Sequence, residues 1–175
     1  MNRIKRNLTW EFIILSSCII CLAALFSCSH PKNVGKADSV LVIKSVSELH
    51  LLKNGNLLKR YHVVFGANPT GHKQQKGDER TPEGKYVLDY KNAHSLFYKS
   101  IHISYPNSID KAKAKKMGVN PGGDIMIHGQ KNGLGSLSFI SQFFNWTDGC
   151  IAVSNSEMDE IWEAVRTGIS IEIQP

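Results

Sequence analysis

The chain has 175 residues, enough for one ordinary domain and a targeting segment but hardly for two full domains. Hydrophobic residues make up 42% and charged residues 21%, with 21 Lys and Arg against 15 Asp and Glu for a formal charge of +6, which excludes a disordered chain. Four cysteines are too few for a disulfide-dense scaffold at this length.

Arg3, Lys5 and Arg6 form a basic start, and Phe12 to Phe26 follows without a single charge. An apolar run of about 15 residues suits a signal-peptide core and falls short of the ~20 that span a bilayer. Residues 1–27 are therefore expected to be an export signal, cleaved or retained as an anchor, and the rest to lie outside the cytoplasm. The run ends in Leu25-Phe26-Ser27-Cys28, which resembles a bacterial lipoprotein box. That resemblance implies that Cys28 is lipidated, becomes the mature N-terminus and holds the protein to a membrane facing the periplasm or cell wall.

Loss of residues 1–27 removes Arg3, Lys5, Arg6 and Glu11, leaving 18 basic and 14 acidic residues, a net +4. Cys18 and Cys21 leave as well. Cys150 is then the one thiol without lipid, in a compartment that favours disulfides. It is either a reactive thiol or a small core residue.

Residues 28–38 are polar, with Pro31 and Gly35, and read as a tether to a domain over 39–175. Val40 to Ile43 is a β-branched strand. Glu48 to Lys53 and Asn56 to Phe65 flank Asn54-Gly55, a hairpin signal. Gly66 to Pro82 is a long polar loop, and Gly84–Asp89 and Lys99–Ser104 are further strands. Asp110 to Met117 reads as a surface helix closed by Gly118. Its lysines make a solvated face or touch an acidic polymer.

Asp124 to His128 is a strand with a polar end, and Ser136 to Phe144 is a helical turn or a lid. Cys150 to Val153 is a short strand. Ser154 and Glu157 form a capping box, and Met158, Ile161, Trp162 and Val165 give a helix stripe directed at the core. Gly168 is expected to cap that helix before a strand over Ser170–Ile173. The fold class is mostly β, with mixed or antiparallel sheets and two or three helices.

A cysteine nucleophile needs a group to take its proton, since the ordinary thiol pKa is about 8.5, and histidine is suited to it. His128 ends one expected strand and Cys150 begins another. If the strands are neighbours, the two side chains meet at one sheet edge. Gly149 allows close approach of backbone to a substrate carbonyl, and N–H groups there can hold an oxyanion. Thr147 and Asp148 add polar groups beside it.

Ile127-His128-Gly129, followed by Thr147-Asp148-Gly149-Cys150-Ile151-Ala152-Val153-Ser154-Asn155, resembles the catalytic domain of the L,D-transpeptidase (YkuD-type) family. Arg80-Thr81-Pro82-Glu83-Gly84 is similar to that family's Arg-Thr-Pro-x-Gly turn. Ile103-Ser104-Tyr105-Pro106-Asn107 and Pro121-Gly122-Gly123 resemble its branch of YafK-like murein transpeptidases. The likeness covers about residues 40–173.

It implies a β-rich fold and a peptidoglycan stem-peptide substrate. Cys150 would form a thioester and an amine acceptor would resolve it. By the same resemblance His128 is the base, the Gly129 carbonyl orients its imidazole, and Gly149 and Cys150 form the oxyanion site. Asp148 departs from the pattern, standing where the broad signature has His, and the stretch between His128 and Thr147 is slightly long. Two further readings use the same residues differently: a hydrolase that releases a peptide or protein from the wall, and a non-catalytic wall-binding lipoprotein.

Arg80 either binds a substrate carboxylate or pins its loop near Glu83. Tyr105 either lines the cleft or packs in the core. No cofactor, metal or nucleic-acid partner is expected: His94 and His102 lack companions at ligand spacing, and no basic groove is interleaved with aromatics. The domain is expected to be a monomer.

Overall fold

Alternation of apolar and polar residues sets the first strands. In Ser39–Ile43 (β1) Val40 and Val42 point inward, and in Glu48–Lys53 (β2) Leu49 and Leu51 do. Asn54 and Gly55 both take positive φ, 49° and 75°, and turn the chain into Asn56–His62 (β3). The computed structural model describes residues 34–175. The expected export signal, Cys28 and residues 28–33 of the tether lie outside the described residues.

Gly84–Ser95 (β4), Tyr98–Ile103 (β5), Met126–His128 (β6), Ile151–Ala152 (β7) and Ile169–Gln174 (β8) complete an eight-stranded sheet. Its order is β3-β2-β1-β8-β4-β5-β6-β7. Most neighbours are antiparallel, but β1 with β8 and β6 with β7 are parallel. β4 runs to Ser95, six residues past the expected end at Asp89, because beyond Leu88 it takes β5 as its partner, with register shifts at Leu88/Lys91 and Asn92/Ser95. Its first half pairs with β8 and its second half with β5. Beyond β3, Val64 and Ala152 exchange backbone hydrogen bonds at 3.0 and 2.9 Å, and Gly66 bridges Thr147. The two ends of the sheet therefore meet at the segment that carries Cys150.

Three helices decorate the sheet. Ser108–Met117 (α1) starts two residues earlier than Asp110, because Asn107 accepts from the Ile109 and Asp110 N–H groups and Asp110 returns the bond. Ser138–Ser141 (α2), behind a 3-10 turn at Gly135–Leu137, makes the 136–144 segment two short turns. Asn155–Ala164 (α3) carries the Ser154–Glu157 capping box and buries Met158, Ile161 and Ala164.

One expectation about α3 is corrected. The helix ends at Ala164, and Gly168 instead turns the chain into β8, donating its N–H to the Leu88 carbonyl at 2.7 Å. Trp162 packs against the core as expected but only in part, being half-buried, and Lys91 and Lys99 lie over its ring with Nζ 4.8 and 5.6 Å from the centroid.

The long loop before β4 is held by ion pairs. Lys44 Nζ meets Glu83 at 2.7 Å and also donates to the Gly71 and Thr81 carbonyls. Lys73, 3% exposed, meets Asp78 at 2.7 Å. Burial by itself would raise the Asp78 carboxyl, but Lys73 and the N–H groups of Gln74, Gln75 and Arg80 hold it down at about 2.

Candidate active site

β6 and β7 lie side by side with Ile127 opposite Ile151 and His128 opposite Ala152. One step before the Ile127–Ile151 pair come Met126 and Cys150, so Cys150 starts beside Met126. Side chains two apart on a strand share a face. Cys150 and His128 therefore face the same way across a diagonal of the β6–β7 pair. Both line a cavity of about 610 Å³, with Phe97, Ser100, Trp146 and Asp148 among its walls.

His128 is 4% exposed. Its Nδ1 lies 2.6 Å from the Gly129 carbonyl oxygen, which can only accept, so Nδ1 carries the proton and Nε2 is left as the basic nitrogen. The Phe97 ring sits 4.8 Å from the imidazole and the Trp146 ring 5.8 Å away, edge-on. This burial lowers the histidine pKa, and the bond to Gly129 partly opposes it. The ring is therefore neutral at pH 7.

The Cys150 thiol takes the N–H of Met126 at 3.4 Å and donates toward the Asp124 carbonyl at 3.5 Å. Its hydrogen bonds among the described residues do not include the imidazole. Burial pushes the thiol up to about 11, and the Asp148 and Asp124 carboxylates add to this against the Met126 N–H and Lys73. The resting sulfur is a protonated thiol.

Gly149 has a φ of 119°, and a Cβ there would stand 2.4 Å from the Arg80 carbonyl oxygen. Glycine is required because the Arg80 backbone approaches closely. Its N–H donates to Thr147 Oγ1 at 3.2 Å, while that hydroxyl donates to the Cys150 carbonyl at 2.7 Å. Thr147 thus fixes the turn that presents the cysteine.

The other sequence candidates separate. Asp148 is exposed and lies where the first cavity adjoins a second of about 720 Å³, which also holds Lys73, Lys76 and His102. Tyr105 borders that second cavity but is 3% exposed, with its hydroxyl donating to the Pro121 carbonyl at 3.0 Å, so it belongs to the core. Arg80 contributes its carbonyl to the Gly149 contact; its guanidinium lies toward Gly71, on neither cavity's wall.

Gln130 and Asn155 escape a reading for chemistry. Asn155 Oδ1 accepts the Gln130 N–H at 2.8 Å, and buried Gln130 donates to the Val153 carbonyl at 2.8 Å while accepting from Ser141 at 2.5 Å. Only the Asn that follows the cysteine motif signals them. Among the described residues no group of three His, Cys, Asp or Glu could hold a metal ion.

A profile of the L,D-transpeptidase catalytic domain (YkuD) matches residues 38–173. YafK of Escherichia coli K12, an L,D-transpeptidase by name, is 31% identical over 121 residues, covering 68% of this chain and 41% of that protein. The chain thus spans about two fifths of the length of the curated relatives it matches. Among solved structures, the helical cell shape determining protein Pgp2 of Campylobacter jejuni has a TM-score of 0.59 at 24% identity, over 82% of this chain and 51% of that one. An L,D-transpeptidase of Xylanimonas cellulosilytica has a TM-score of 0.51 at 14% identity, over 89% and 68%. These two likenesses show the fold.

Proposed function

The chain belongs to the L,D-transpeptidase catalytic-domain family, and from that premise we propose that it is a cysteine-dependent transpeptidase acting on peptidoglycan stem peptides, exported and held to a membrane by lipid on Cys28. One observation carries the reading. Cys150 and His128 share one face and one cavity, with Nδ1 of the imidazole tied down and Nε2 free.

With the thiol near 11, only about one molecule in ten thousand holds a thiolate at pH 7, so the base must act as the bond forms. Sγ leaves the Asp124 carbonyl and attacks the carbonyl carbon of a stem-peptide diamino acid at its bond to the terminal D-residue. The thiol proton passes to His128 Nε2. Oxygen takes the negative charge and meets the N–H groups of Cys150 and of Gly149, the latter released from Thr147.

Collapse breaks the C–N bond, and His128 returns the proton to the leaving amine. A thioester remains. An amine from a neighbouring stem then attacks, gives its proton to His128 and forms the new amide. The departing thiolate takes that proton back. Water in the amine's place gives the hydrolase, with the same two residues. Asp148, an anion at the junction of the cavities, attracts the acceptor amine in its protonated form, which passes its extra proton to solvent and attacks as the neutral base. The amine is therefore the preferred acceptor.

Cys150→Ala should keep the fold, by circular dichroism, and lose the covalent adduct with a carbapenem or a stem peptide, by intact mass. A variant that still acylates refutes the nucleophile. Wall fragments from cells with active protein should gain cross-links between diamino acids; trimmed stems or released wall-bound protein would mean hydrolysis. Cys28→Ala should free the protein from membranes and end fatty-acid labelling, and labelling that persists refutes the anchor.

A further inference from the structure

One peptide unit joins two contacts described above. The carbonyl of Gly129 holds His128 Nδ1 at 2.6 Å, and the N–H of the same peptide, from Gln130, donates to Asn155 Oδ1 at 2.8 Å. A peptide is planar, so fixing its N–H direction fixes its carbonyl direction. Asn155 therefore sets the aim of the oxygen that decides which imidazole nitrogen carries the proton.

Ser154 and Glu157 close the capping box one residue before Asn155, so the side chain leaves from the first position of α3. A Cβ on Gly129 would stand 2.6 Å from Asn155 Oδ1, and one on Gly135 would stand 2.6 Å from Nδ2. Glycines on both sides make room for this amide. Gly135 opens the 3-10 turn before α2, so the amide is wedged between that turn and the peptide that holds His128.

We propose that Asn155 is a positioning residue: through the Gly129–Gln130 peptide it keeps the His128 proton on Nδ1 and leaves Nε2 as the unprotonated, basic nitrogen. The role deepens, and rests on, the reading of His128 as the base. Loss of the amide frees the peptide to rotate, the imidazole loses its one backbone acceptor, and the wrong nitrogen takes the proton in part of the molecules. Cys150, Asp124, Asp148, Lys131 and His94 line the cavity with His128. Its own shift comes from burial and then the Gly129 bond.

The direct test is the His128 tautomer, read by long-range proton–nitrogen NMR on the full chain. Wild type should show the proton on Nδ1, and Asn155→Ala a mixture of both forms. The maximal rate of carbapenem acylation should fall about tenfold in Asn155→Ala with the half-saturation concentration unchanged, as for loss of a group that orients a histidine. Its acidic limb should move to lower pH, because the bond that raises His128 basicity is lost. Asn155→Asp keeps the acceptor oxygen and should keep the wild-type tautomer, with no downward move of that limb.

Gly135→Ala, which pushes the amide from the side of the 3-10 turn, should act in the direction of Asn155→Ala and serves if that variant fails to fold. A wild-type tautomer in both variants overturns the proposal. So does an Asn155→Asp protein as impaired as Asn155→Ala. A wild type that forms no adduct would refute the catalytic reading instead, and the tautomer would still decide the role of Asn155.

Discussion

Single residues set the reactivity of Cys150. Burial is the main reason its thiol stands near 11, and Asp148 adds to it. Asp148→Asn should therefore lower the midpoint of iodoacetamide alkylation against pH, though not to the ordinary thiol range, since burial remains. An unchanged midpoint would show that Asp148 does not act on the sulfur. At Gly149 the limit is steric. Gly149→Ala puts a methyl 2.4 Å from the Arg80 carbonyl oxygen at a φ of 119°, which should cost about 1–3 kcal/mol in chemical denaturation and disturb the turn bearing the nucleophile. The pair His128 and Cys150 was legible in the sequence because His128 ends one short apolar strand and Cys150 opens another, each beside a glycine. Asn155 was not, because its acceptor role acts on a backbone N–H that only the folded chain brings near. Arg80 and Tyr105 were ambiguous for a related reason: residue type says nothing about whether a side chain or its backbone faces the cleft.

Whole elements hold the site in place. The loop before β4 supplies the Arg80 carbonyl that packs on Gly149, and Lys44 pins that loop through Glu83, Gly71 and Thr81. Lys44→Ala should destabilise the fold by about 3 kcal/mol in denaturant titrations, because Glu83 and the Gly71 and Thr81 carbonyls lose their shared donor. Asp78 gives the same loop a pH dependence. Its carboxyl titrates near 2 in the folded chain and at the ordinary 3.8 when unfolded. The unfolded chain binds this proton more tightly, so the contribution is complete above about pH 4 and disappears as pH falls toward 2. Asp78→Asn should flatten the stability curve across that window; a curve of wild-type shape would rule the carboxylate out. The Asn54-Gly55 hairpin and the Ser154 capping box were readable because local chemistry decides turns and helix starts. The length of β4 was not, since it depends on two different partners along one strand.

At the scale of the molecule, sequence order and sheet order disagree in one place. β8, the last strand, lies between β1 and β4 and joins β3-β2-β1 to β4-β5-β6-β7. Parallel pairing of β1 with β8 leaves no local trace, because the partners are separated by nearly the whole described chain. Ending the chain at Thr167 should therefore abolish acylation and the cooperative unfolding transition together. A truncated protein that still unfolds sharply would show that the two halves of the sheet hold without their link. The same feature governs time as well as stability. During synthesis, β1 must wait for residues 169–174 before it gains its second neighbour, and contacts of such long sequence separation form slowly. An incomplete chain thus leaves the edges of β1 and β4 open, and it must be shielded from pairing with other chains until its final strand emerges.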